Sequence, residues 1–351
     1  MNRVLVTGAT GFIGANVARV LLERGYRVRV LVRPSSDLGN IENLDVEIVT
    51  GDLRDALSVH AAVAGCDEVY HVAAEYNFWS PDPSQTYKSN VEGTRHVMEA
   101  ALQCGVRRVV YTSTVGTMGL ADQPLACDEN TPMTNGQLTS HYKRSKLEAE
   151  HVALSYVTRG LPVVVVNPSA PIGPWDRKPT PTGKIIVDFV LGKMPAYLNT
   201  GLNLIHVHDV AVGHWLAAQK GRIGERYILG HQNLTLQEIL GMLSQITNLP
   251  APRVRIPYAV AWMAGLVSTT VSDWVTRRPP AVALEAVKMA RRHMFFDASK
   301  AVRELGLPQT SVEKALEDAV EWFAASEYFK LNTRSGLGTN TDARHDIARA
   351  S

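Results

Sequence analysis

Residues Val4-Leu5-Val6-Thr7-Gly8-Ala9-Thr10-Gly11-Phe12-Ile13-Gly14 constrain this chain more tightly than any other stretch. A short run of apolar β-formers ends in three glycines spaced Gly8-x-x-Gly11-x-x-Gly14, and an apolar-patterned segment from Phe12 to Leu22 follows. That is a buried strand feeding a helix through a turn that requires residues without Cβ. Such a turn lets backbone N–H groups approach a pyrophosphate at the positive end of the helix. A second strand, Arg27 to Val32, follows at the spacing of a βαβ unit. The chain reads as a dinucleotide binder.

Strand-like runs recur at Val4–Thr7, Val28–Val32, Val46–Val49, Glu68–His71, Arg108–Ser113 and Pro162–Asn167. Helical stretches lie between them at Phe12–Arg24, Asp55–Val63, Ser84–Cys104 and His141–Thr158. This alternation predicts right-handed βαβ units and an α/β fold, a Rossmann-type doubly wound parallel sheet of about seven strands. After Asn167 the character changes. Pro168, Pro171, Pro174, Pro179 and Pro181 crowd a loop-rich stretch, and helices at Thr235–Thr247, Tyr258–Thr276 and Ser311–Phe323 are separated by turn residues. From about Asn332 the chain is rich in Thr, Asn, Gly and Arg without apolar periodicity, which predicts a disordered tail over 331–351.

The 351 residues, 45% hydrophobic and 20% charged, suit a large domain plus a smaller one with a substantial core. A net charge of +2, without a long Lys/Arg cluster, gives no case for nucleic acid. Cys66, Cys104 and Cys127 are odd in number and far apart, so neither a disulfide framework nor a zinc site is expected. His206, His208 and Asp209 stand close in sequence but lack a third ligand, and Asp209 is expected to cap a helix from Val210 to Gln219. The first strand begins within a few residues of Met1, which leaves no room for a signal peptide and predicts a cytoplasmic protein. The most apolar stretch, Pro257–Val271, is too short for a membrane span, which takes about 20 apolar residues. It reads as a helix roofing the substrate cleft or as an interfacial helix, with Arg277, Arg278, Arg291 and Arg292 suited to anionic headgroups.

NAD-selective sites place an Asp or Glu at the end of the second strand to bond the ribose 2′-hydroxyl. Here Arg33 occupies that position, where a guanidinium would fork onto a 2′-phosphate, with Ser35 and Ser36 as further donors. The nearest acid, Asp37, lies beyond Pro34. The expected cofactor is NADP(H), with NAD(H) the alternative.

Three motifs together carry a family resemblance: Thr7-Gly8-x-x-Gly11-x-x-Gly14, Tyr111-Thr112-Ser113-Thr114 at a strand end, and Tyr142-Lys143-Arg144-Ser145-Lys146. With them the chain resembles the extended short-chain dehydrogenase/reductase family, of the NAD-dependent epimerase/dehydratase kind. The resemblance implies a dinucleotide-binding domain over 1–167 with returning segments around 202–220, and a smaller, partly helical substrate lobe over 168–330. It implies that Asp52 bonds the adenine amine, that Ala73 and Ala74 line ribose and pyrophosphate, and that Asn90 ties a helix to the fourth strand. The implied cofactor-binding set is Gly8, Thr10, Gly11, Phe12, Ile13, Arg33, Asp52, Leu53, Ala73, Ala74, Asn90, Thr112, Tyr142, Lys146 and Pro168. Tyr142 and Lys146, four apart on a helical segment, share a face. A free tyrosine titrates near 10, so work at neutral pH needs a depression of roughly 3 units, toward which a neighbouring ammonium pushes. The resemblance also gives Lys146 the nicotinamide ribose and gives Thr114 a hydrogen bond to the substrate oxygen, with Ser113 the fallback.

Two positions bear on the substrate. Related nucleotide-sugar enzymes hold a diphosphate with an Asn after the sixth strand and an Arg seven before a Val-x-Asp aspartate. Here those positions are Ala170 and Leu202, and Arg177 or Lys178 would have to serve instead. Asn167-Pro168-Ser169, Ile172-Gly173-Pro174 and Met294–Ala301 with Leu305-Gly306 resemble the dihydroflavonol-reductase-like branch, and within it a hopanoid-associated sugar-epimerase subgroup, over about residues 1–325. The expectation is a reductase of a carbonyl on a bulky or lipid-linked polyol, with no membrane span but with peripheral membrane contact in view. A cofactor-recycling sugar epimerase or dehydratase is the alternative, and a non-catalytic dinucleotide-binding sensor the alternative of a different class. The resemblance further implies a homodimer through Ser84–Cys104 and His141–Thr158.

Overall fold

In the computed structural model the described residues are 2–75, 83–121, 125–138, 140–272, 274, 280 and 284–326; Arg277, Arg278 and the tail lie outside them. The strands are β1 (Arg3–Thr7), β2 (Arg27–Val32), β3 (Glu47–Thr50), β4 (Glu68–His71), β5 (Arg108–Thr112), β6 (Val163–Pro168), β7 (Ala170–Ile172), β8 (Ala196–Leu198), β9 (Gly201–His206), β10 (Arg226–Leu229), β11 (Gln232–Thr235) and β12 (Val254–Ile256). The helices are α1 (Phe12–Glu23), α2 (Ala56–Val63), α3 (Pro83–Tyr87), α4 (Gly93–Gln103), α5 (His141–Ser155), α6 (Pro181–Val190), α7 (Val207–Lys220), α8 (Leu236–Thr247), α9 (Tyr258–Val271), α10 (Leu284–Met289), α11 (Ser299–Leu305) and α12 (Val312–Ala325).

Seven parallel strands form the main sheet in the order β10-β6-β5-β4-β1-β2-β3. Side chains alternate across it, as a two-residue period requires. Val4 and Val6 face a layer with Val17, Leu21 and Val210, while Leu5 faces the opposite layer with Val59, Val97 and Met98. Each such side chain, fully buried, contributes roughly 1.5–3 kcal/mol. Both faces are covered, so this is the Rossmann-type architecture. The chain runs from β1 outward through β2 and β3, then crosses back to β4 on the other side of β1. The crevice at that reversal, beyond the C-terminal strand ends, is where such sheets receive a ligand.

The second half adds a three-stranded sheet, β11-β9-β7, and a β12-β8 pair. Helices α6, α8 and α12 close an apolar core around Ile186, Leu240 and Leu316. From this half α7 returns to the main sheet, where Val210 and Ala217 pack in the same layer as Val17, and β10 adds the outermost strand. Among the described residues no helix is long and apolar enough to cross a membrane.

Local departures from expectation have physical causes. The stretch read as one helix from Ser84 is split into α3, a π-helical turn at Lys88–Glu92, and α4. Residues 141–158 form α5 and then a 3₁₀ turn at Val157–Arg159, stopped by Gly160 at φ 90°. Asp209 does not cap α7. The helix begins at Val207, and His206 is its N-cap, accepting from the His208 N–H at 2.9 Å. Asp209, in the first turn, instead accepts from the Thr310 N–H at 2.7 Å and from its hydroxyl at 3.0 Å.

Candidate functional site

The glycine turn joins β1 to α1 at the sheet's crevice. Gly8 has φ 75°, and a Cβ on it would stand 2.7 Å from the Ala73 Cα. A Cβ on Gly14 would collide with the Gly8 carbonyl. Both sites therefore need glycine, for close approach as well as for conformation. Gly11 is the N-cap of α1 with no side-chain cap bond, so the first-turn N–H groups keep their donors for a ligand. A pyrophosphate fits this cradle. Thr10, Phe12 and Ile13 are half-buried or partly exposed around it, and the Thr10 carbonyl accepts from Asn40 Nδ2 at 3.1 Å.

A hydrogen-bonded chain fixes the floor of the turn. The Ala73 N–H donates to Thr7 Oγ1 at 3.2 Å, and Thr7 Oγ1 lies 2.8 Å from His71 Nδ1. His71 Nε2 reaches Thr94 Oγ1 at 3.0 Å, and the Thr94 hydroxyl donates to the Asn90 carbonyl at 2.6 Å. The direction of that last bond makes Nε2 the protonated nitrogen and Nδ1 the acceptor. Burial pushes the His71 pKa down to about 3, helped by the Lys146 charge, so the ring is neutral. Asn90, turned by the π-helical stretch, accepts from the Glu75 N–H at 2.7 Å and donates to Ser145 Oγ at 3.0 Å. It thus ties the segment after β4 to α5.

Arg33 is exposed beyond β2 and Ala74 beyond β4, and Leu53, after β3, packs on Gly93. Asp52 is engaged by Arg54, whose Nε and Nη2 donate to it at 2.9 and 2.7 Å. Those bonds hold the Asp52 carboxyl below its usual range, with Arg33 adding to the effect. The Arg33 guanidinium forms no ion pair among the described residues, while the Arg33 backbone N–H donates to Ser36 Oγ at 3.1 Å. Asp37 pairs with Arg177 at 3.1 Å, which removes Arg177 as a free phosphate ligand.

Thr114, Tyr142 and Lys146 come from the loop after β5 and from the first turns of α5. Thr114 accepts from the Gly116 N–H at 3.1 Å, which leaves its hydroxyl proton to donate. Ser113 is buried, 3.5 Å from Thr117 Oγ1. The Thr112 hydroxyl lies 2.9 Å from His214 Nε2, inside the core. Lys146 is buried and turned inward, donating to the Thr112 carbonyl at 2.7 Å and to Tyr111 Oη at 3.0 Å. An ammonium has three donors, so one remains. Burial pushes its pKa down to about 7, against the pull of the Glu150 carboxylate. Pro168 ends β6, buried beside Leu229 of β10.

A family model described as NAD dependent epimerase/dehydratase matches residues 4–230. The chain belongs to this family. A Synechocystis sp. protein provisionally named dihydroflavonol 4-reductase is 49% identical over 333 residues, 93% of this chain and 95% of the relative. Sterol demethylase protein B of Methylococcus capsulatus is 38% identical over 320 residues, 91% and 97% of the two chains. The crystal structure of gox2253 superposes with a TM-score of 0.82 at 45% identity, covering 92% of this chain and 98% of that one. This epimerase/dehydratase-family protein is an enzyme, an NAD(P)-dependent oxidoreductase or epimerase, with the Rossmann fold its sequence predicts.

The structure adds residues that sequence spacing did not single out in this family member. Glu150, one turn beyond Lys146, is buried and accepts from Thr117 Oγ1 and Asn167 Nδ2, each at 3.0 Å, and from Arg226 Nη1 at 3.2 Å. Asn167 Nδ2 also donates to the Thr114 carbonyl at 3.1 Å. Three elements, α5, β6 and β10, thereby fix the loop that carries Thr114. Lys143, next to Tyr142, is buried near Gly116, and burial lowers its pKa against the pull of Glu285. In the second half Ala170 is buried in the apolar core and Leu202 packs against it. His206 pairs with Asp318 at 3.0 Å, and no metal-binding cluster occurs among the described residues.

Proposed function

We propose that this enzyme is an NADP(H)-dependent reductase acting on a carbonyl of a weakly charged, bulky or lipid-linked polyol. The observation that carries the reading is the apolar packing of Ala170 and Leu202, where a nucleotide-sugar enzyme would clamp a diphosphate. Phosphates buried against those side chains would lose water without gaining donors. The Methylococcus relative is named for a sterol, which is likewise bulky and weakly charged.

Bound NADPH supplies the hydride. Tyr142 gives a proton to the carbonyl oxygen, and the Thr114 hydroxyl donates to the same oxygen and orients it. Lys146 holds positive charge one turn away and favours the tyrosinate left behind. Asp52 and Leu53 flank the adenine, and Arg33 takes the 2′-phosphate. Glycines 8, 11 and 14 receive the pyrophosphate. Residues 1–167 with α7 and β10 form the cofactor half, and most of the remainder receives the substrate. Two copies pair through α4 and α5.

The purified protein should oxidise external NADPH in the presence of an apolar ketone, prefer it to NADH, and lose that preference in Arg33→Asp. Calorimetry with uridine and thymidine diphosphates supplies the opposing result. Micromolar binding of either would give the site to a cofactor-recycling epimerase.

A further inference from the structure

Helix α9 carries no charged residue, and Gly265 is its one buried position. Val260, Met263, Val267 and Val271 are 54%, 61%, 64% and 43% exposed and recur three or four residues apart, so they form one stripe. Trp274, 81% exposed, follows at the same spacing, Leu266 borders the stripe at 39%, and Trp262, also 39% exposed, lies farther round the helix. Scattered exposed apolar side chains are ordinary, but a contiguous face of this size marks a surface that meets something apolar. The opposite side of α9 is seated. A Cβ on Gly265 would lie 3.2 Å from the Leu284 Cα and from Val287 Cγ2, so the glycine lets α9 sit close on α10. A helix that roofed a cleft would bury its apolar stripe; this one turns it outward.

The charge around the stripe identifies the occupant. Arg253 and Arg255 are exposed just before the helix. Arg291 is exposed too, its guanidinium 6.0 Å from the Tyr258 ring centroid. Arg255 and Arg291 line one cavity of about 250 Å³ at the helix start. From Arg253 to Ser272 the chain has no Asp or Glu. From Arg253 to Arg292 it has seven Lys or Arg and two acids, in a molecule whose net charge is +2. A second copy docked by the same patch would set arginine against arginine, since a two-fold contact is self-complementary. An apolar stripe holding Trp274 beneath a basic rim matches instead the boundary between acyl chains and anionic headgroups.

We propose that α9 and its arginine rim dock this enzyme on the surface of a bilayer containing anionic lipid. The stripe enters the acyl boundary and the arginines stay at headgroup level, where their long stems cover apolar surface. On the seated side of α9, Glu285 of α10 and Arg292 beyond it act electrostatically on Lys143, the neighbour of Tyr142. The docking rests on the outer face alone and stands whether the cleft reduces a lipid or another substrate.

Full-length protein is spun with vesicles made of equal parts phosphatidylcholine and phosphatidylglycerol. The wild type should co-sediment, and its tryptophan emission should shift to the blue and be quenched by brominated lipid. Binding should weaken about tenfold or more in a Val260→Ser, Met263→Ser, Val267→Ser triple variant, and similarly in high salt. The triple variant should keep its circular dichroism and its NADPH turnover with a water-soluble ketone, which separates failure of docking from failure of the reductase reading. No sedimentation of wild type at about 1 mM lipid, or equal binding by the triple variant, would overturn the proposal. Equal binding to pure phosphatidylcholine would overturn the anionic assignment. A wild type larger by light scattering than the triple variant, without lipid, would give the face to a second copy.

Discussion

Lys146 and His71 show how one buried neighbourhood handles two bases. The lysine keeps a proton to about pH 7 with Glu150 near by, whereas the buried imidazole, beside the Lys146 charge, stays neutral down to about pH 3. Tyr142, one turn before Lys146, is the acid in the proposed reaction. Tyr142→Phe should leave NADPH affinity nearly intact and cut turnover about 10²-fold or more, as loss of a positioned proton donor does. Stopped-flow binding and steady-state turnover check the split, and unchanged turnover would remove Tyr142 from the chemistry. His71 also makes a stability prediction. Its folded pKa of about 3, and that of His214 at about 4, lie below the ordinary imidazole value of 6.5. Between those limits the unfolded chain binds protons that the native chain refuses, so stability is full above pH 6.5 and falls with acidification. Asp176, raised to about 6, works in the opposite sense, its contribution fading as pH rises from 3.8 toward 6. Urea melts at pH 5 and 6 should show the histidine effect as a steeper loss in wild type than in His71→Gln. The difference approaches about 1.4 kcal/mol per pH unit, the value for one proton. Identical slopes would mean that His71 titrates normally.

Individual elements were legible wherever the residue pattern itself carries the cause. The Gly8–Gly14 turn was readable because two of its glycines are forced by contacts with Ala73 and with Gly8. The strand runs were readable because buried parallel strands are almost wholly apolar. The π-helical turn was not, because Lys88-Ser89-Asn90-Val91-Glu92 has ordinary helical composition and the distortion serves the Asn90 bonds to Glu75 and Ser145. Nor did α9 reveal its outward face: a uniformly apolar helix has no periodicity to say which side is buried. The α4–α5 pair gives a prediction at this scale. These helices lie side by side on one layer, with Leu102 and Leu154 only partly covered by the core beneath. If two copies pair there, light scattering at micromolar concentration returns twice the 38.4 kDa chain mass. A monomer mass would take the four-helix contact out of the reading.

At the level of the whole molecule, the unread features are contacts between distant parts of the chain. The resemblance implies Thr112 as a cofactor residue, and its hydroxyl partner His214 lies in a helix of the second half. Glu150 joins α5 to Asn167 and Arg226 in the same manner. No local spacing announces such pairs. The contacts that join the cofactor turn to the second half are of this kind too. Asn40 Nδ2 donates to the Thr10 carbonyl at 3.1 Å and to the Trp175 carbonyl at 3.2 Å, and Arg19 stacks 3.5 Å from the Trp175 ring centroid. Asn40 is buried, so its alanine variant leaves those carbonyls without this partner, at a cost of about 1–3 kcal/mol. It also frees the Thr10 turn from the loop at Trp175, so Asn40→Ala should raise KM for NADPH several-fold while saturated turnover changes little. Asp37→Asn breaks only the exposed pair with Arg177 and should leave the melting temperature unmoved. A matched loss of stability in the two variants would show that the halves are held by surface charge. A loss of stability in Asn40→Ala with KM unchanged would show that Asn40 braces the fold without setting the cofactor turn.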